Sequence, residues 1–269
     1  MSAADFWPRS GLSCRVLGPL EVAVDGSPVN VGGAISRRVM GALVAVNGRA
    51  LSDDRLIEQV WDEPPRAPLE ALRVVVWRIR SVLGPAGRDA LHRTTGGYAL
   101  AIPAEATDYG RFTAGVYAGL AGLAAGRYDQ AVQDFGAALA LWRGEPWSEF
   151  EEMGPLTSIR LELNELRDVA IEELQAARLA RGELATTVAA LHAAVDAAPY
   201  RERRWELLAL GLYRSGRQVQ ALTELRRVRA LLTTDIGVEP GPRLRAIEQR
   251  MLNQDPDLIV RDRLVRSHE

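Results

Sequence analysis

The hydrophobic positions of this chain change period three times. In "CRVLGPLEVAVDGSPVNV" they are set for short strands: Val16, then Val22 and Val24, then Val29 and Val31, with "DGSP" turning the chain between the last two. From Ala34 the period becomes helical. "AISRRVMGALVAVNG" turns Ile35, Val39, Leu43 and Val46 inward, and Asn47-Gly48 ends that helix as a left-handed stop. "LSDDRLIEQVW" predicts a second helix, with Ser52 as N-cap and Asp53 and Asp54 at the positive end of its dipole. "DEPPRAP" breaks the chain, and Pro68 opens a third helix. "LHRTTGGYALAIP" gives two short extended runs around Gly96-Gly97, a hairpin. Helix, short connection, helix and hairpin predict a winged helix-turn-helix with the hairpin as its wing.

After Pro103 the pattern is helical only, to about Leu252, and it repeats. Gly126, Ala131, Phe135 and Ala138 are matched by Gly182, Thr187, Leu191, Ala194 and Pro199, and again by Gly216, Ala221, Leu225 and Val228. The last two glycines stand one tetratricopeptide period apart, and Trp205 and Leu208 hold the W-x-x-L spacing of that repeat. Small residues allow two helices of a hairpin to approach, and larger ones fill the gap to the next. Such arrays make surfaces for partners. "APYRERRW" suits either a functional loop or a helix connection tied by ion pairs.

The third helix, "ALRVVVWRIRSVLG", is unusual on one face. At about 100° per residue, Leu72, Val75, Val76, Ile79, Val82 and Leu83 share a core-facing arc. The opposite arc carries Trp77, Val74 and Ser81 at its centre and Arg73, Arg78 and Arg80 at its flanks. Arginine pairs with guanine edges or grips phosphates, and Val and Trp meet the thymine methyl group, so the face suits a major groove. The same residues also suit packing of Trp77 and Val74 on a neighbouring domain, with solvated arginines. Arg93, Thr94 and Thr95 at the hairpin tip suit phosphate or minor-groove contact, or a plain surface turn. Arg37 and Arg38 fit structural and phosphate-backbone roles equally.

Composition narrows these options. A length of 269 residues favours two domains, and 47% hydrophobic with 25% charged residues is ordinary for a soluble globular chain. The single cysteine, Cys14, leaves no internal disulfide or thiolate cluster and suits a reducing cytoplasm. No apolar run approaches a membrane span, and "MSAADFWPRSG" lacks the pattern of a secretory signal. All 33 basic residues are arginine. The net charge of −2 excludes a polycation, yet Arg66, Arg73, Arg78, Arg80, Arg88 and Arg93 face only Glu70 and Asp89 between residues 66 and 93. His92, His192 and His268 lie far apart without motifs, and the absence of lysine excludes a P-loop. No catalytic residue, metal or cofactor is expected, and the chain is not expected to be an enzyme.

Six stretches then share a resemblance. "CRVLGPLEVAVDGSPVNVGG" resembles the opening of the Streptomyces antibiotic regulatory protein family. Val76-Trp77-Arg78-Ile79-Arg80 stands where that family ends its recognition helix with V-S-R-L-R, and "TTGGYAL" resembles its wing. "ALALWRGEPW", "PYRERRWELLALGLYRSGRQVQAL" and "DIGVEPGPRLRAIEQRML" resemble the bacterial transcriptional activation domain that follows. The match runs from about Cys14 to Asp257. It implies a mainly α chain with a small β component: an OmpR-like winged helix at 12–103, a tetratricopeptide-like domain at 107–257 and a charged tail at 258–269. It implies an activator of antibiotic biosynthesis genes that binds direct repeats in double-stranded DNA near the −35 element as a homodimer. It further implies recruitment of RNA polymerase, including its sigma factor, in the cytoplasm on the nucleoid and without a membrane. The loop of Asn47, Gly48, Arg49, Asp53 and Asp54 would touch polymerase. Two departures stand out: Trp77 replaces a small polar residue, and Ile35-Ser36 replaces a polar pair. The chain resembles a small family member or part of a large one. A repeat-scaffold adaptor, and a repressor with the same DNA contacts, are the alternatives.

Overall fold

A computed structural model of the chain describes residues 11–150 and 154–259. The opening stretch, His268 and the expected tail beyond Ile259 lie outside the described residues. The chain divides into two compact units, one from residues up to 114 together with 138–167, the other from 115–137 together with residues from 168 onward.

The first unit begins with an antiparallel sheet, β1 (Leu12–Arg15), β2 (Glu21–Val24) and β3 (Ser27–Val29). Asp25 and Gly26, both at positive φ (48° and 78°), make the two-residue turn between β2 and β3, whose twist matches the strands. Val16 and Val31, expected within strands, lie just past them, though both are buried. The Val16 amide leaves the sheet for the carboxylate of Asp108. Three helices follow: α1 (Ala34–Ala45), α2 (Asp53–Val60) and α3 (Pro68–Ala90). Val39 and Leu43 of α1 are fully buried, while Ile35 and Val46, at its ends, are half-buried. Ser52 caps α2 by accepting from the Arg55 amide at 3.2 Å. Leu51 and Ser52, read as part of that helix, form instead a short strand, β4, beside the wing. Pro68 opens α3, and Gly84 (φ 65°, ψ −156°), followed by Pro85, breaks it. β5 (Leu91–Arg93) and β6 (Gly97–Leu100) form the wing, and the sheet order is β4-β6-β5.

The helical region is stitched to the first sheet within this unit. Asp108, at the start of α4 (Asp108–Ala124), accepts from the amides of Val16 (2.7 Å) and Leu17 (2.9 Å). The amides of Arg143 and Trp147 donate to the carbonyls of Leu17 and Val16. Glu149 accepts from the Leu20 amide and from Arg37. The Phe150 ring lies against Gly41 of α1 so closely that a Cβ there would be 2.6 Å from a ring carbon. The expected boundary between residues 103 and 107 falls inside this unit.

The rest of α4, α5 (Tyr128–Leu139) and α6 (Gly154–Arg181) are followed by α7 (Leu184–Ala197), α8 (Glu202–Arg214), α9 (Gln218–Leu231) and α10 (Pro242–Leu252). The repeat glycines Gly126, Gly182 and Gly216 all adopt left-handed φ (71°, 82° and 75°). Each starts the same helix stop. The next residue's amide (Arg127, Glu183, Arg217) reaches back five residues to a carbonyl, which satisfies an orphan acceptor and reverses the chain. The following small and large residues sit inside as expected: Ala131, Phe135, Thr187, Leu191, Ala221, Leu225 and Val228 are buried. Ala194 is half-buried, and its neighbour Val195 takes the core position. Trp205 is buried and donates to the Pro199 carbonyl at 2.8 Å. "APYRERRW" is an ion-paired helix start: Arg201 and Arg204 bind Asp168 and Glu172, and Arg203 binds Glu173 and Glu206.

Candidate nucleic-acid interface

The two faces of α3 are as different as the pattern implied. Leu72, Val76, Ile79 and Leu83 are buried in the core. On the other side Trp77 is 67% exposed and Val74 47% exposed. Val82, expected inside, is 44% exposed in the last turn before the Gly84 break. An indole left in water forfeits its burial energy unless something covers it. Arg73 and Arg78 flank it, both exposed and neither with a hydrogen-bond or ion-pair partner among the described residues. Other arginines of this unit are neutralised: Arg37 by Glu149, Arg38 by Asp62, Arg93 by Asp53 and Arg143 by Glu21. Arg49, Arg55 and Arg66 also lack an ion pair among the described residues; what sets Arg73 and Arg78 apart is that they flank the exposed indole and Val74.

Two residues grouped with this face do other work. The half-buried Arg80 donates from Nε to the Leu91 carbonyl at 2.8 Å, and its guanidinium lies 5.8 Å from the Tyr98 ring centre. It braces the wing against α3. Ser81 turns its hydroxyl back to the Trp77 carbonyl at 2.9 Å, which leaves its oxygen lone pairs facing outward.

The wing turn is closed by the Thr94 amide on the Gly97 carbonyl at 3.0 Å. Gly97 is needed there, because a Cβ would sit 1.8 Å from the Leu51 carbonyl oxygen of β4. Thr95 is exposed and Thr94 half-buried. Arg93 makes a two-pronged ion pair with Asp53, at 2.6 and 2.7 Å, and lies 4.6 Å from the Tyr98 ring centre. Its hydrogen bonds to Asp53 raise its already high pKa further. The five residues expected at polymerase divide accordingly. Asn47, Gly48 and Arg49 form an exposed tip, Asp54 is exposed, and Asp53 is held by the wing.

β1 is anchored by a buried cluster that no local sequence pattern announces. Burial pushes the Asp108 carboxyl above its ordinary range, against the pull of two amides and of Arg143 at 3.6 Å. Burial likewise raises the Cys14 thiol, and it moves the Tyr109 phenol up to about 12. The available signal was a lone aspartate at the start of a helical stretch, which reads locally as an ordinary helix start. Its partners lie about ninety positions away in the chain.

Comparison with known proteins is consistent with this geometry. Residues 33–100 match the family described as transcriptional regulatory protein, C terminal, and residues 107–252 match the bacterial transcriptional activator domain. EmbR of Mycobacterium tuberculosis is 38% identical over 252 residues, covering 91% of this chain and 64% of EmbR. RedD of Streptomyces coelicolor is 35% identical over 91% of this chain and 72% of its own length. The chain belongs to the Streptomyces antibiotic regulatory protein family. Within that family it is also 37% identical to AfsR of Streptomyces coelicolor, over 90% of this chain but 24% of AfsR. A solved structure of Mycobacterium tuberculosis EmbR in complex with a low affinity phosphopeptide superposes with a TM-score of 0.86 at 36% identity, covering 91% of this chain and 66% of that one. The chain thus spans about two thirds of EmbR. It carries the domains these relatives share, an OmpR-like winged helix followed by the family's helical activator domain. Among the described residues no helix is long and apolar enough to cross a membrane.

Proposed function

We propose that this regulator binds double-stranded DNA sequence-specifically through α3 and activates transcription from the promoters it occupies. The observation that carries this reading is the outer face of α3: a 67% exposed Trp77 and a 47% exposed Val74 between two arginines without counter-ions. Arg73 and Arg78 grip guanine edges or phosphates, and Val74 and Trp77 meet thymine methyl groups. Arg80 and Ser81 line the edge of that face. Arg93, Thr94 and Thr95 reach the flanking backbone from the wing. Two copies dock side by side on direct repeats near the −35 element, and the exposed loop from Asn47 to Asp54 engages RNA polymerase and its sigma factor. The family resemblance supports control of antibiotic biosynthesis genes as the regulon, in the cytoplasm on the nucleoid.

The test is footprinting on promoter fragments from the gene's own neighbourhood, with excess non-specific competitor. Protection of direct repeats one helical turn apart, on one face of the duplex, supports the reading. Protein that shifts no fragment even at low salt overturns it and favours a repeat-scaffold adaptor. Specific protection with falling transcript levels leaves the DNA contacts standing and makes the protein a repressor.

A further inference from the structure

Beside the exposed face of α3 lies an open groove of about 520 Å³, walled by Trp61, Pro65, Val74 and Val75. Its polar end is the start of α1. No side chain caps that helix, and its first turn carries no acid. The first amides of a helix have no intrahelical acceptor, and their dipole favours an anion. Ser36, in the same turn, is only 8% exposed and lines the groove, yet its hydroxyl has no hydrogen-bond partner among the described residues. With no partner in the fold, that hydroxyl is free to donate to a group lying in the groove. Arg78, itself without a counter-ion, forms the opposite lip. Gly33, the residue ahead of the helix, has open space where a Cβ would point.

We infer that this groove seats one sugar–phosphate unit of the DNA strand bordering the major groove that α3 enters. The inference rests on the DNA-binding reading above. The amides at the start of α1 and the Ser36 hydroxyl donate to the phosphate oxygens, and Arg78 neutralises the charge. The apolar walls cover the deoxyribose. Arg78 is then the clamp on a phosphate, and base reading falls to Arg73, Val74 and Trp77. Anion binding at a helix start fits the chemistry of a phosphodiester.

The experiment uses the full chain and a short duplex of arbitrary sequence, with affinity measured by fluorescence anisotropy across salt concentrations. Gly33→Asn adds a neutral cap that occupies the free amides. The backbone there (φ −72°) is ordinary for any residue, so folding is retained and is checked by Tm. The expected result is about ten-fold weaker binding, the worth of one hydrogen bond to a charged group. Ser36→Ala weakens binding in the same direction. Arg78→Ala reduces the salt slope by about 0.9, one phosphate's share. It also costs less in the Gly33→Asn background than alone, because both serve one phosphate. Unchanged affinity for Gly33→Asn, or strictly additive losses, overturns the seat. A wild-type Tm raised by inorganic phosphate and not in Gly33→Asn, with duplex affinities equal, assigns the seat to a free phosphate and overturns the DNA assignment. Wild-type protein that binds no duplex removes the DNA reading itself.

Discussion

Asp53→Asn should strengthen DNA binding while weakening the fold. Asp53 holds Arg93 through two short hydrogen bonds, and Arg93 sits at the wing in a side chain that is 42% exposed. Exposed ion pairs contribute roughly 0.2–1 kcal/mol, and a two-pronged geometry belongs near the top of that range. Asp53 also favours the dipole of α2 from its first turn, a benefit that Asp54 continues to supply. The expected loss is therefore about 1 kcal/mol, or a Tm lower by roughly 2–4 °C in a chain of this size. On DNA the sign reverses. In the wild type Arg93 must leave Asp53 to meet a phosphate, whereas in the variant it is already free. One more unpaired cation steepens the dependence of log K on log salt by about 0.9. Releasing about 1 kcal/mol of competition raises affinity roughly five-fold. Anisotropy titrations at several salt concentrations, beside thermal melts of the same samples, read both quantities. A destabilised variant with unchanged salt slope refutes the reasoning. It would make Arg93 a brace of the wing, as Arg80 is, rather than a DNA contact.

Three further outcomes follow from the geometry. Trp77→Ala should leave the Tm within about 1–2 °C, because the ring is mostly in water, and weaken specific binding about ten-fold; replacing operator thymines by deoxyuracil should cost the wild type but not the variant, as a methyl contact requires. Gly41→Ala should destabilise the first unit by about 1–3 kcal/mol, since its Cβ would lie 2.6 Å from the Phe150 ring, and a melt unchanged from wild type would show that the two do not pack as described. Asp108, pushed above its ordinary value of 3.8, keeps a proton when folded that the unfolded chain has released, so its contribution falls as pH rises from about 3.8 to the folded value and is constant above. Asp108→Asn removes that slope, and a wild-type advantage over the variant that grows with pH across this window contradicts the burial argument.

Much of this was legible in the sequence because it is local. A helix whose apolar residues recur every three or four positions declares its buried face, so Leu72, Val76, Ile79 and Leu83 could be placed before any coordinates. The glycines at 126, 182 and 216 announced their turns because only a left-handed residue closes such a stop cheaply. What stayed hidden depends on pairs distant in sequence. β4 is two residues long and exists only because β6 lies beside it, so no alternation could reveal it. Arg80 and Arg93 look like Arg73 and Arg78 in a string of letters. Leu91 and Asp53, respectively, set them apart, and only the fold brings those partners near. Asp108 is the extreme case, a charged residue buried by contacts about ninety positions away.

The central claim is that the arginines without counter-ions on α3 bind a polyanionic duplex. The most direct measurement is the salt dependence of duplex affinity for the wild type and for the Arg73→Ala/Arg78→Ala double variant, at matched Tm. Both side chains are exposed, so the fold should be indifferent to their loss. The account predicts a wild-type log K that falls steeply with log salt, and a double variant that binds more weakly with a slope smaller by at least about 0.9, the share of the phosphate that Arg78 holds. Identical slopes with identical affinities would contradict it and would return this face of α3 to the role of a protein-binding surface.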